Sequence, residues 1–76
     1  MQLSDWLRKE RRKRDMTQRD VARELDVSLN SVIAWERREH GTVPGTYQLR
    51  ALSKLFEASA DKLLKMLPPE RVAERT

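Results

Sequence analysis

The chain has 76 residues and a formal charge of +4, from 16 lysines and arginines against 12 aspartates and glutamates. That length supports one domain, with a core so small that every large apolar side chain counts. Cysteine is absent, which excludes disulfide staples and thiolate metal sites. No apolar run approaches the roughly 20 residues that span a bilayer, and no signal-peptide pattern is present, so a cytoplasmic protein is expected.

The first predicted helix runs from Leu3 to Arg14. Leu3, Trp6 and Leu7 fall at i, i+3 and i+4, the spacing of one helix face. Ser4 or Asp5 is available to start it. The next inward positions, Glu10 and Arg11, are charged, which is unusual for a face turned to the core. Residues 8–14 hold six basic side chains and one acid. At a helix C-terminus such cations complement the dipole, and otherwise they read as a solvated face. Asp15 ends the helix, tolerating a left-handed backbone at some cost. Met16 packs under the turn.

Residues 17–38 read as two short helices joined by a tight turn. Thr17 is a candidate N-cap, and Asp20 is placed three residues on, where a carboxylate reaches back to the cap amide. Val21, Ala22 and Leu25 form a narrow apolar stripe. Asp26-Val27-Ser28 breaks the pattern, and Ser28 can cap a helix over 28–38 by accepting from the amide of Asn30 or Ser31. In that helix Val32 and Trp35 point inward. Leu29, Asn30, Ile33, Ala34 and Arg37 lie on other faces.

Residues 38–45 form a loop containing both glycines and a proline. A fourth helix follows, capped by Gly45 or Thr46 and running to about Glu57, with Leu49, Leu52, Leu55 and Phe56 on its apolar face. Ser59 starts a fifth, with Asp61 in its first turn and Leu63, Leu64 and Leu67 after it; Pro68-Pro69 stops it. Residues 68–76 read as a tail or linker. The expected core is Leu3, Trp6, Leu7, Met16, Val21, Ala22, Leu25, Val27, Val32, Trp35, Leu49, Leu52, Leu55, Phe56, Leu63 and Leu64. The chain is therefore expected to be all-α, a compact bundle of five short helices.

Catalytic chemistry finds little support. His40 is the only histidine and sits in the loop without an obvious partner. One histidine and no cysteine cannot close a metal site. Gly41 and Gly45 precede no lysine suited to a phosphate-cradling loop. Asp20 and Glu24 are accounted for by the cap and by Arg19 and Arg23. No enzyme activity and no cofactor are expected.

Residues 17–38 resemble the helix-turn-helix of the phage-repressor/Cro-like family, also called the xenobiotic-response-element (XRE) family. Its usual run is S/T-Q-x-x-L-A-x-x-x-x-V-S-x-x-x-I-x-x-W-E-R. Thr17, Gln18, Val21, Ala22, Val27, Ser28, Val32, Trp35, Glu36 and Arg37 match it, with valine for the first leucine and for the isoleucine. The resemblance extends over residues 3–67. It departs at Asp15 and Glu57, where glycine is frequent, and in the longer loop, which carries Pro44-Gly45 in place of Pro-Ser.

The resemblance implies a lambda-repressor-like domain over residues 1–67 and a sequence-specific regulator of transcription, a repressor, that binds double-stranded DNA. The helix at 28–38 would lie in the major groove. Base contacts would come from Leu29, Asn30, Ile33 and Ala34. Asn30 can pair bidentately with adenine, whereas the other three read only thymine methyls or shape. Backbone contacts would come from Thr17, Gln18, Arg19, Arg37, Arg38, Thr42 and Thr46. Gln18 also stands at a helix N-terminus, where free amides favour a phosphate. Arg11 would pair with Glu36. A homodimer on a palindromic operator is implied, with Met66, Leu67 and the tail as its surface, nucleoid-associated when bound. Two other readings stay open. One is an antitoxin or controller of a small genetic module. The other is an adaptor that uses Leu29, Ile33 and Ala34 against protein.

Overall fold

The computed structural model describes residues 2–37 and 42–67, and within them five helices and no strand. Helix α1 (Leu3–Lys13) opens on Gln2 without a side-chain cap. Its first amide donates across the fold instead: Leu3 N–H reaches the Met66 carbonyl at 3.0 Å. That bond satisfies one of the donors a helix start leaves orphaned. The helix begins at Leu3 as expected, with Gln2 as its cap in place of Ser4 or Asp5. Ser4 lies inside the first turn, buried, and its hydroxyl has no hydrogen-bond partner.

Three helices end on an acidic residue in the left-handed region: Asp15 at φ 55°, Asp26 at φ 55° and Glu57 at φ 53°. After each, an amide bonds five residues back, Met16 to Arg11, Val27 to Ala22 and Ala58 to Ser53, at 2.9–3.0 Å. This is the Schellman arrangement, in which the terminal carbonyls are satisfied and the next residue folds back on the helix. In all three that next residue is apolar and packs against the core: Met16, Val27 and Ala58.

Helix α2 (Gln18–Leu25) begins with a reciprocal cap, and α3 (Leu29–Trp35) follows after three residues outside either helix, Asp26, Val27 and Ser28. Helix α4 (Thr46–Leu55) is capped by Gly45. Helix α5 (Ala60–Lys65) is capped by the Ser59 hydroxyl, which accepts from the Lys62 amide at 3.2 Å.

The core gathers one stripe from each helix. Leu7, Val21, Val32, Leu52 and Leu63 are fully enclosed, and Trp6 meets Phe56 edge-on with ring centres 5.7 Å apart. Three positions differ from expectation. Leu64, expected inside, is 49% exposed, and Leu67, expected on a dimer surface, is 8% exposed and part of the core. Leu63 and Leu64 are neighbours on α5, so burying Leu63 turns Leu64 outward, while Leu67 reaches the core from just past the helix end. Pro44, absent from the expected core, is fully buried just before α4.

The basic run of α1 also divides by phase. Arg8 pairs with Asp5 at 3.1 Å, Arg11 with Glu36 at 2.8 Å and Arg14 with Glu10 at 2.6 Å. These three are spaced by three residues, so one side of the helix uses its cations in ion pairs. Lys9, Arg12 and Lys13 are exposed.

Candidate nucleic-acid interface

The α3 helix has one buried side and one open side. Ser28 fixes its start by accepting from the Ser31 amide at 3.2 Å. Val32 and Trp35, one turn apart, hold it to the core. At about 100° per residue, Leu29, Ile33, Asn30 and Ala34 fall in that order over an arc of about 140° on the other side. Asn30 is exposed and the other three are half-buried. One amide therefore stands among three side chains that can offer only shape and apolar contact.

The helix is shorter than the expected 28–38. It ends at Trp35, and Glu36 is its cap. The last turn tightens: Glu36 N–H is shared between the Val32 and Ile33 carbonyls, and Arg37 N–H reaches Ala34. The Glu36 side chain points inward to partners on α1 and α2. Arg37 is exposed beyond the helix, not on it. Arg38 lies outside the described residues.

Thr17 caps α2 reciprocally with Asp20. The Thr17 hydroxyl accepts from the Asp20 amide at 3.0 Å, and the Asp20 carboxylate accepts from the Thr17 amide at 2.8 Å. The backbone N–H of Thr17, and after it the Thr17 hydroxyl, hold the Asp20 carboxyl below its ordinary range. Arg19, in the same turn, is exposed.

Gln18, Arg11 and Glu36 converge. Arg11 addresses Glu36 with two parallel bonds, Nε to Oε2 at 2.8 Å and Nη2 to Oε1 at 3.1 Å. Gln18 adds a third, Nε2 to Oε1 at 3.2 Å. The remaining Arg11 nitrogen, Nη1, donates to the Met16 carbonyl at 3.0 Å. Both charged side chains are largely enclosed, 12% exposed for Arg11 and 5% for Glu36. The charge on the inward face of α1 is thereby explained. Removing one member would leave the other buried and unpaired, a loss of about 3–5 kcal/mol. Next to this network, Arg11, Arg12, Asp15, Met16, Thr17 and Gln18 line an open crevice of about 620 Å³.

Thr42 and Thr46 are exposed on either side of Pro44, Thr46 as the first residue of α4. Among the described residues no hydrogen bond or ion pair joins them to Gln18, Arg19 or the open side of α3. Tyr47, absent from the expected contacts, is 77% exposed in the first turn of α4. Its signal was present, because position 47 stands off the Leu49-Leu52-Phe56 stripe. A phenol there adds a hydroxyl donor next to Thr46, with exposed Arg50 one turn on.

No described helix is long and apolar enough to cross a membrane. Among the described residues no group of three or more histidine, cysteine, aspartate or glutamate side chains could hold a metal ion. Neither a curated protein nor a solved structure matches the chain. A family model does, the helix-turn-helix model HTH_3, over residues 7–63. With its two capped helices, tight turn and outward-facing α3 inside that span, the chain belongs to the HTH_3 helix-turn-helix family of Cro/C1-type DNA-binding regulators.

Proposed function

We propose that the protein is a sequence-specific repressor that binds a palindromic operator as a homodimer, with α3 in the major groove. The observation that carries the reading is the division of α3 into a core-anchored side, Val32 and Trp35, and an open side, Leu29, Asn30, Ile33 and Ala34. Asn30 reads adenine through its amide. Leu29, Ile33 and Ala34 select thymine methyls and exclude polar edges. Thr17, Gln18, Arg19, Arg37, Arg38, Thr42 and Thr46 hold the sugar-phosphate backbone, and Tyr47 joins them. Asp20 works against this anchoring, since its carboxylate occupies the same helix start, so the cations Arg19 and Arg37 supply the attraction. One helix reads too few bases for high specificity. A second copy on a half-site about one helical turn away supplies the rest. With Leu67 in the core, Leu64 is the apolar side chain that α5 offers to that copy.

Selection of bound duplexes from a random pool at near-physiological salt tests the reading. A palindrome enriched in adenine and thymine at the α3 positions is expected, and Asn30→Ala relaxes one position in each half-site. Retention of DNA without an enriched motif would leave backbone binding alone. The apolar character of the α3 arc favours one second reading, a protein-binding adaptor. Salt separates the two, because neutralising phosphates makes affinity fall steeply with ionic strength and an apolar contact does not.

A further inference from the structure

We infer that Glu36 is a positioning residue for the phosphate contact of Gln18, and that Arg11 makes this possible by cancelling the carboxylate's charge. The inference rests on the DNA-binding reading above. Glu36 caps the end of α3, whereas Gln18 is the first residue of α2. Their side chains meet at 3.2 Å, Gln18 donating. An ionised carboxylate only accepts, so the Gln18 amide must turn its nitrogen toward Glu36. That nitrogen carries a second hydrogen which Glu36 does not take, and this is the donor offered to the backbone.

Two consequences follow from chemistry. A glutamine free in solvent loses its rotamer freedom when it grips a phosphate, and one already held loses less. Holding it by the end of α3 also ties the backbone contact to the helix that faces the bases, so the two are set in one register. The hazard of this design is a negative charge beside an anion. The two parallel bonds from Arg11 remove it, because a forked guanidinium-carboxylate pair is neutral as a unit. Arg11 thus acts on DNA binding through Glu36, without touching the DNA.

The test replaces the pair together. In Arg11→Met/Glu36→Met both charges leave and the volume is kept, an exchange that buried ion pairs commonly tolerate. Operator affinity is expected to fall about three- to tenfold, the worth of one unheld side chain. The same double change made in a Gln18→Ala chain is expected to cost nothing further, and the salt dependence is expected to stay unchanged. An equal loss in both backgrounds, or no loss in either, overturns the inference. So does a shallower salt slope, which would make Arg11 a direct phosphate contact. Hydrogen exchange of the Gln18 side-chain amide in the unaltered, DNA-free protein decides the matter independently of how the variant folds. Slower exchange than at exposed Gln2 is expected, and equal exchange overturns the inference. If the unaltered protein binds no DNA at all, the DNA-binding reading fails, while slow exchange at Gln18 still distinguishes that failure from failure of the Glu36 contact.

Discussion

The Arg14 guanidinium lies 5.0 Å from the centre of the Phe56 ring and donates from Nη2 to the Phe56 carbonyl at 3.1 Å. One cation thus closes two helix ends. It stands in the cap position of α1 and reaches the cap position of α4, both places where exposed carbonyls gather partial negative charge. Its second arm pairs with Glu10 at 2.6 Å, and the Phe56 ring it covers is the one that meets Trp6.

Arg14→Met keeps the apolar stem and removes every donor. A loss of about 1–3 kcal/mol is expected from the stacking contact and the charged hydrogen bonds together. Arg14→Lys recovers only part of it, since an ammonium cannot stack and fork at once. Urea unfolding of the three proteins measures this, and a lysine variant equal to the original would reduce the contact to simple charge.

Much of the fold is legible because its signals are local. Thr17 and Ser28 are capping residues with the amides they need within three positions, so the helix starts can be read directly. Asp15 likewise marks its own turn. Leu64 and Leu67 differ from expectation because a six-residue helix is too short for periodicity to fix its phase, and Leu67 stands beyond its end. The end of α3 was misplaced for a different reason. Glu36 is the cap, its side chain held by Arg11, 25 residues away, and nothing in the neighbouring sequence marks the helix end there. A separation of 18 residues likewise hid the link from Gln18 to Glu36, although both residues stood in the motif. The role of Arg14 was concealed by its surroundings, one cation among six.

Glu57→Gly should stabilise the domain by about 0.5–1 kcal/mol. Residue 57 sits at φ 53°, where an L side chain is strained and glycine is not. Removing an acid from the C-terminal end of α4 adds to the gain. Asp15→Gly and Asp26→Gly should gain less, because aspartate enters the left-handed region more readily. Denaturant midpoints of the three single variants give the order, and a Glu57→Gly chain less stable than the original would contradict the strain argument.

Ser4→Ala should also stabilise, by about 0.5–2 kcal/mol. The hydroxyl is buried without a partner, so its removal relieves a desolvation cost, and alanine is the better helix former. A loss of stability on this change would mean that the hydroxyl is hydrogen-bonded in solution.

Stability is expected to fall in acid. The Glu10 carboxyl is held below its ordinary 4.5, first by its hydrogen bond from Arg14 and further by the charges of Lys13, Arg14 and Lys62; burial opposes the shift. Asp20 is held below 3.8 by Thr17. For a depressed carboxylate the contribution is complete above the unfolded value and disappears as pH falls through the folded one. Unfolding followed from about pH 6 down to about pH 2 should therefore show a plateau, then a decline. Glu10→Gln should be less stable on the plateau and should decline less, and parallel curves would remove Glu10 from the account.

The bond from Leu3 to Met66 has a bearing on synthesis. The amide that opens α1 has its partner only once residue 66 has left the ribosome, and the core that covers Leu3, Trp6 and Leu7 also includes Leu63 and Leu67. No portion of the chain that stops short of α5 can finish its own core. The domain's folding is accordingly a single late event, set by the arrival of α5, and until then the stripe of α1 stays open to whatever chaperone meets the nascent chain.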